Sequence, residues 1–311
     1  MTMKLRYPLI SLYSNQTTLL RLILVSFILL QRPAGPLLKD QVAIVTGSGQ
    51  GIGKATAILF AAHGAHVVVS DLDAKKSGEV AQEIVNAGGS AISIPGNVMD
   101  KDYGERVVKG AVDKWGKINI IVNNAGFTAD KMAHTTDDET FQLMLDCHVV
   151  APFRIIRAAA PYLRIKDASK RQANVSIINI SSTSGTHGNV GQVNYSAAKS
   201  AVLGLTKTMC KEWGPFGVRV NTVAFGWIQT RLTAPKETGE SIVVNGKAIA
   251  LGIPGKGKAQ EASGKVAGTE DIPLGRPGLP EEGAGALLFL ASPLASYVSG
   301  QTLEVTGGRG I

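Results

Sequence analysis

Tyr195 and Lys199 stand four residues apart in a stretch of helical character, so both side chains project from one face. A phenol has an ordinary pKa of about 10 and moves protons poorly near neutrality. An ammonium beside it favours the phenolate, and each tenfold gain in acidity reflects about 1.4 kcal/mol. Ser182 lies 13 residues before Tyr195, just past the apolar run from Val175 to Ile180. A hydroxyl there can hold a carbonyl oxygen by a hydrogen bond. The three side chains could therefore orient a carbonyl and exchange a proton with it. A packed tyrosine beside a solvated lysine has the same spacing, so the surrounding elements must decide.

Those elements alternate. Apolar runs predict strands from Val42 to Val45, His66 to Ser70, Ala91 to Ile94, Ile118 to Val122, Val175 to Ile180, Val218 to Val223 and Thr302 to Val305. Between them lie predicted helices over Ile52 to His63, Ala74 to Ala87, Asp102 to Lys114, about Asp137 to Leu163, Tyr195 to Trp213 and Glu281 to Ala291. Strand–helix alternation implies right-handed crossovers and a parallel sheet covered on both faces. Ligand should then sit beyond the carboxyl ends of the strands, at the switch point. The segment from Pro235 to Asp271 breaks the rhythm. It is either a lid over the site or a disordered surface insertion.

The turn after the first strand reads Thr46-Gly47-Ser48-Gly49-Gln50-Gly51-Ile52-Gly53. Its spacing is G-x-x-x-G-x-G, because Ile52 stands where G-x-G-x-x-G needs glycine. Small residues let the backbone approach a diphosphate, and free N–H groups at the helix start meet its charge. Asp71 ends the second strand, 18 residues past Gly53. An acid there accepts hydrogen bonds from ribose hydroxyls and repels an added phosphate. Gln50 is neutral, and Lys75 and Lys76 fall on the next predicted helix. These features point to NAD(H) rather than NADP(H).

The chain has 311 residues, 44% hydrophobic and 18% charged, which excludes global disorder. Its net charge is +8, but the first 39 residues hold Lys4, Arg6, Arg21, Arg32 and Lys39 and no acid. The remaining 27 bases face 24 acids, which argues against nucleic acid as a partner. Cys147 and Cys210 make no disulfide framework, no zinc-ligand spacing exists, and an intracellular site is expected. Residues 1–39 read as a separate extension. Its apolar run from Leu22 to Leu30 is too short to span a bilayer. It suits a mitochondrial transit peptide, a membrane contact through residues 1–32, or a dispensable tail on a cytoplasmic protein.

With TGSGQGIG at 46–53, NNAG at 123–126, INISS at 178–182, YSAAK at 195–199, RVN at 219–221 and SYVSGQTLEVTGG at 296–308, residues 40–311 strongly resemble the short-chain dehydrogenase/reductase family. The resemblance implies an α/β fold: a single Rossmann-like, doubly wound parallel sheet of about seven strands with helices on both faces. It implies a homo-oligomer, dimer or tetramer, and hydride transfer between a nicotinamide cofactor and a small-molecule carbonyl or alcohol. It makes Tyr195 the general acid/base, Lys199 its electrostatic partner and Ser182 the carbonyl-orienting hydroxyl. It puts Asn97, Val98, Asn123, Ala125, Gly126, Gly226, Ile228 and Thr230 at the cofactor, beside Gly47, Gly49, Gln50, Gly51, Ile52, Gly53, Asp71, Tyr195 and Lys199. His148 stands where many members have a relay asparagine, Asn97 where an aspartate is usual, and Phe225 where a proline is usual.

The sequence is also similar to 3-oxoacyl-acyl-carrier-protein reductases and 3R-hydroxyacyl-CoA dehydrogenases, so 3-oxoacyl or 3-hydroxyacyl thioesters are the expected substrates. An NADPH-dependent ketoreductase of a polyketide or other secondary metabolite is the alternative within the fold. A dinucleotide-binding scaffold without turnover is the alternative outside enzymes.

Overall fold

Val42–Thr46 (β1) is a five-residue strand buried along its whole length, as a strand covered on both faces must be. It runs into helix α1, Gly51–Ala62, which returns the chain to His66–Ser70 (β2), parallel to β1 with Val42 opposite His66. Helix α2, Ala74–Asn86, is capped by the Asp73 carboxylate, which accepts the Lys76 N–H, and leads to Ser90–Ser93 (β3). Helix α3, Tyr103–Trp115, crosses back to Ile120–Asn123 (β4), which pairs with the other side of β1. The loops after β1 and β4 therefore part, and a crevice opens between them. Val175–Ser182 (β5) and Val218–Phe225 (β6) extend the sheet, both running further than their apolar cores predicted.

We describe residues 35–234, 239–244, 246–252 and 268–310 of a computed structural model. Residues 38–311 form one compact unit. Among the described residues the main sheet has seven strands, all parallel, in the order β3-β2-β1-β4-β5-β6-β9. The last of these strands, β9, is Thr302–Val305. One face of the sheet buries Ile44, Val68, Ile121 and Ile177 against Tyr103 and Val107 of α3 and residues of two later helices. On the other face α1 packs against Pro280–Ala291, which is helix α8 below.

One predicted helix is interrupted. The stretch from Asp137 to Leu163 forms α4, Asp138–Leu145, a π turn over Asp146–Val150, and α5, Ala151–Leu163. Pro152 has no N–H to give to the carbonyl of His148, so an unbroken α ladder would lose a bond at that step. The π turn absorbs the fault at Cys147 and His148, both buried. Thr183–His187 (α6) and Val193–Trp213 (α7) follow β5.

Of the segment 235–271, the described residues form an antiparallel hairpin, Ser241–Val244 (β7) and Lys247–Ala250 (β8). Val244 and Leu251 are buried against Phe127, Met144 and Cys147. Ile242 and Val244 of this hairpin line the cavity beside the glycine turn. The targeting reading falls on residues 1–39 and the membrane reading on residues 1–32; residues 1–34 lie outside the described residues. No described helix is long and apolar enough to cross a membrane.

Candidate active site

The glycine turn is held from across the sheet. Asn124, just past β4, donates from Nδ2 to the carbonyls of Thr46 and Gly47, at 2.9 and 3.0 Å. The N–H groups of Asn124 and Ala125 in turn donate to Thr46 Oγ1. Gly47 has φ of +64°, and a Cβ there would meet Ala125 Cα at 2.7 Å, so no other residue fits. Gln50, the N-cap of α1, makes no side-chain cap bond and no acid occupies the first turn. The free N–H groups of α1 thus open on the crevice, as an anion requires.

A cavity of about 390 Å³ runs from the glycine turn past Asp71, Asn97 and Val98 to Ala125, Gly126 and Thr230. Its size and its run of small residues, helix N-terminus and terminal carboxylate fit a dinucleotide. Asp71 Oδ2 accepts the Gly49 N–H at 2.9 Å and Oδ1 the Asp73 N–H at 3.1 Å, which aims the carboxylate at the cavity's end. Lys76 reaches back from α2 to donate to Gln50 Oε1 at 3.2 Å.

A second cavity, about 210 Å³, shares Ile52, Asn124, Gly126, Thr230 and Leu232 with the first and holds Ser182, Tyr195, Lys199 and His148. The carboxyl end of β5 and α7 are laced together there. Lys199 Nζ donates to the Ile180 carbonyl at 2.8 Å, and Ser181 Oγ donates to the Lys199 carbonyl at 2.8 Å. Ser182 caps α6 by accepting the Ser184 N–H, and it lines the same cavity as the Tyr195 phenol. Lys199 Nζ lies 5.5 Å from the Tyr195 ring centre.

Burial decides the protonation here, contrary to the expectation from spacing. Desolvation pushes the Tyr195 phenol above its usual range, against the pull of the Ser182 hydrogen bond, and Asp130 and Cys147 push it further. Desolvation also lowers Lys199 from 10.5 to about 8. The ammonium is directed at the Ile180 carbonyl, so it does not make the phenol more acidic.

His148 sits edge-on to Tyr195, with ring centres 5.2 Å apart. Its Nε2 faces the Phe127 carbonyl at 2.8 Å and must donate; Nδ1 is then an acceptor, buried without a hydrogen-bond partner. Burial and the Lys199 charge hold the ring neutral. A Cβ on Gly126 would come within 2.3 Å of His148 Cε1. Gly126→Ala is therefore expected to destabilise the protein by about 1–3 kcal/mol through overpacking. Gly126→Ala in a His148→Ala background should lose much less. Thermal melts of the four proteins check this, and equal losses in both backgrounds would refute the contact.

Four of the residues expected at the cofactor stand apart from the first cavity. Asn123 turns away from both cavities and donates to Asn179 Oδ1 at 2.8 Å, within a buried network reaching Thr206. Side chains alternate along β4, so its neighbour Asn124 takes the crevice side. Gly49 does not line the first cavity; it contributes through its N–H to Asp71. Gly226 and Ile228 line the second cavity instead of the first. Gln192 and Asp130, joined at 3.0 Å on the wall facing Tyr195, were not legible beforehand, because no spacing in the sequence links them.

A family model described as short chain dehydrogenase matches residues 41–241. A 3-oxoacyl-[acyl-carrier-protein] reductase of Synechocystis is 39% identical, covering 87% of this chain and 97% of the relative. One from Thermotoga maritima is 36% identical, covering 87% and 98%. The short-chain reductase protein NovJ of Streptomyces niveus is 35% identical, covering 87% and 94%.

Proposed function

Since the chain belongs to the short-chain dehydrogenase family, we propose that it is an NADH-dependent carbonyl reductase acting on 3-oxoacyl thioesters, with Tyr195 as proton donor. The observation that carries this reading is that Ser182, Tyr195 and Lys199 line one cavity, which shares a wall with the dinucleotide cleft. When bound, the nicotinamide supplies the hydride that reduces the carbonyl carbon. Ser182 orients the carbonyl oxygen, and Tyr195 gives it a proton. The raised phenol is protonated at neutral pH, which suits the reductive direction. His148 Nδ1 would accept from a water on the way to Lys199. Reduction of a panel of ketones and acyl thioesters, followed at the nicotinamide absorbance, tests the reading. No turnover with any of them would leave a dinucleotide-binding scaffold.

Asp71 supports NADH, since its carboxylate would repel a phosphate on the adenosine ribose. The NADPH-dependent reading, with a polyketide or other secondary metabolite as substrate, draws support from Lys76 standing beside Gln50. Asp71→Ala is expected to shift the ratio of kcat/KM for NADH over NADPH by about tenfold toward NADPH, a charge-repulsion scale of about 1.4 kcal/mol. An unchanged ratio would remove the argument for NADH.

We place the activity inside the cell, where the free thiols Cys147 and Cys210 persist. A second copy would cover the exposed Phe289 of α8, Leu294 and Tyr297 in the segment after it, and Leu303 of the edge strand β9.

A further inference from the structure

Arg231 follows Thr230 in the segment that leaves β6. It is half-buried and lines both the dinucleotide cavity and a smaller one of about 250 Å³ beside Asp71. Every other described arginine is held. Arg106, Arg276 and Arg309 are ion-paired. Arg154, Arg171 and Arg219 donate to backbone carbonyls. Arg157 and Arg164 lie over aromatic rings. Among the described residues Arg231 alone of the arginines has no such partner. A guanidinium partly withdrawn from water and left unpaired in a cleft is suited to a phosphate, which it can grip with two parallel hydrogen bonds.

Its place favours one phosphate over another. Thr230 Cγ2 would lie 3.5 Å from a Cβ on Gly51, so the chain next to Arg231 rests on the glycine turn. The smaller cavity also holds Lys76 and three carboxylates, Asp71, Asp73 and Glu240, which outnumber it and repel a phosphate on the ribose. We propose that Arg231 is a phosphate-binding residue of this cleft, holding the diphosphate bridge of the dinucleotide against the free N–H groups of α1. The hairpin that follows Arg231 brings Ile242 and Val244 to the same cavity. This rests on the dinucleotide reading of the cleft.

Calorimetric titration of Arg231→Ala, Arg231→Lys and the parent protein with NADH, NADPH, ADP-ribose and adenosine tests the proposal. Arg231→Ala should weaken NADH, NADPH and ADP-ribose by about tenfold or more each, the scale of a charge-assisted hydrogen bond. Adenosine, which lacks the diphosphate, should bind as before. Arg231→Lys should recover part of the loss, and the melting temperatures without ligand should match the parent's. Unchanged ADP-ribose affinity in Arg231→Ala would overturn the proposal. A loss confined to NADPH would also overturn it, by moving the guanidinium to the ribose phosphate. A parent protein that binds neither dinucleotide would defeat the cleft reading itself.

Discussion

Tyr195→Phe is expected to reduce turnover by about 100-fold or more, the scale of a lost general acid, while NADH binding stays within a few-fold of the parent's. The variant removes one oxygen, so the ring should keep its edge-on contact with His148. Ser182 retains its bond to the Ser184 N–H, so the α6 cap survives. Loss should therefore appear in kcat, with little change in folding. The direction of reaction adds a pH signature. Burial holds the phenol protonated, so reduction should proceed at neutral pH, whereas alcohol oxidation needs the phenolate and should accelerate as pH rises into the alkaline range. Initial rates in both directions across pH, for parent and variant, check the assignment. Parent-like turnover in Tyr195→Phe would be incompatible with Tyr195 as proton donor.

Lys199→Met separates activity from stability. Turnover should again fall by about 100-fold or more, because the variant removes a cation that lines the cavity with Ser182 and Tyr195 and can meet the charge developing on the carbonyl oxygen. Stability at pH 7 should not fall in parallel. Lowering Lys199 from 10.5 to about 8 corresponds to about 3 kcal/mol against its charged form in the folded protein. Methionine has similar reach without the charge, at the cost of the bond to the Ile180 carbonyl. Between about pH 8 and 10.5 the unfolded lysine keeps its proton while the folded one sheds it. The parent's stability should gain from this group as pH rises through that window, and Lys199→Met should lack the gain. Denaturant titrations at pH 7 and pH 10 measure it. An identical pH dependence in the two proteins would show that Lys199 is not held in the desolvated state described above.

Seen from the sequence, the sheet was legible because burial on both faces writes each inner strand as an unbroken apolar run, such as Val42 to Val45. The break at Cys147–His148 was hidden, because α and π turns share the same apolar pattern and only the ladder of bonds tells them apart. The hairpin Ser241–Ala250 was hidden for another reason. Its alternation is short, and burial of Val244 and Leu251 against Phe127 and Met144 defines it.

By itself the sequence determined which side chains share a helix face, where the chain turns on glycine, and that Ser182, Tyr195 and Lys199 belong to one chemistry, since local spacing sets these. Only the tertiary structure decided what surrounds them. Asn124 rather than Asn123 grips the glycine turn, from 78 residues away. Lys76 bends back 26 residues to Gln50. Arg231 is left facing the cleft, and the Tyr195 phenol is made a weaker acid where its neighbour suggested a stronger one. The physical reason is common to all four. Solvation and long-range partners depend on packing between distant segments, and packing outweighs the pairwise influence that sequence spacing reveals.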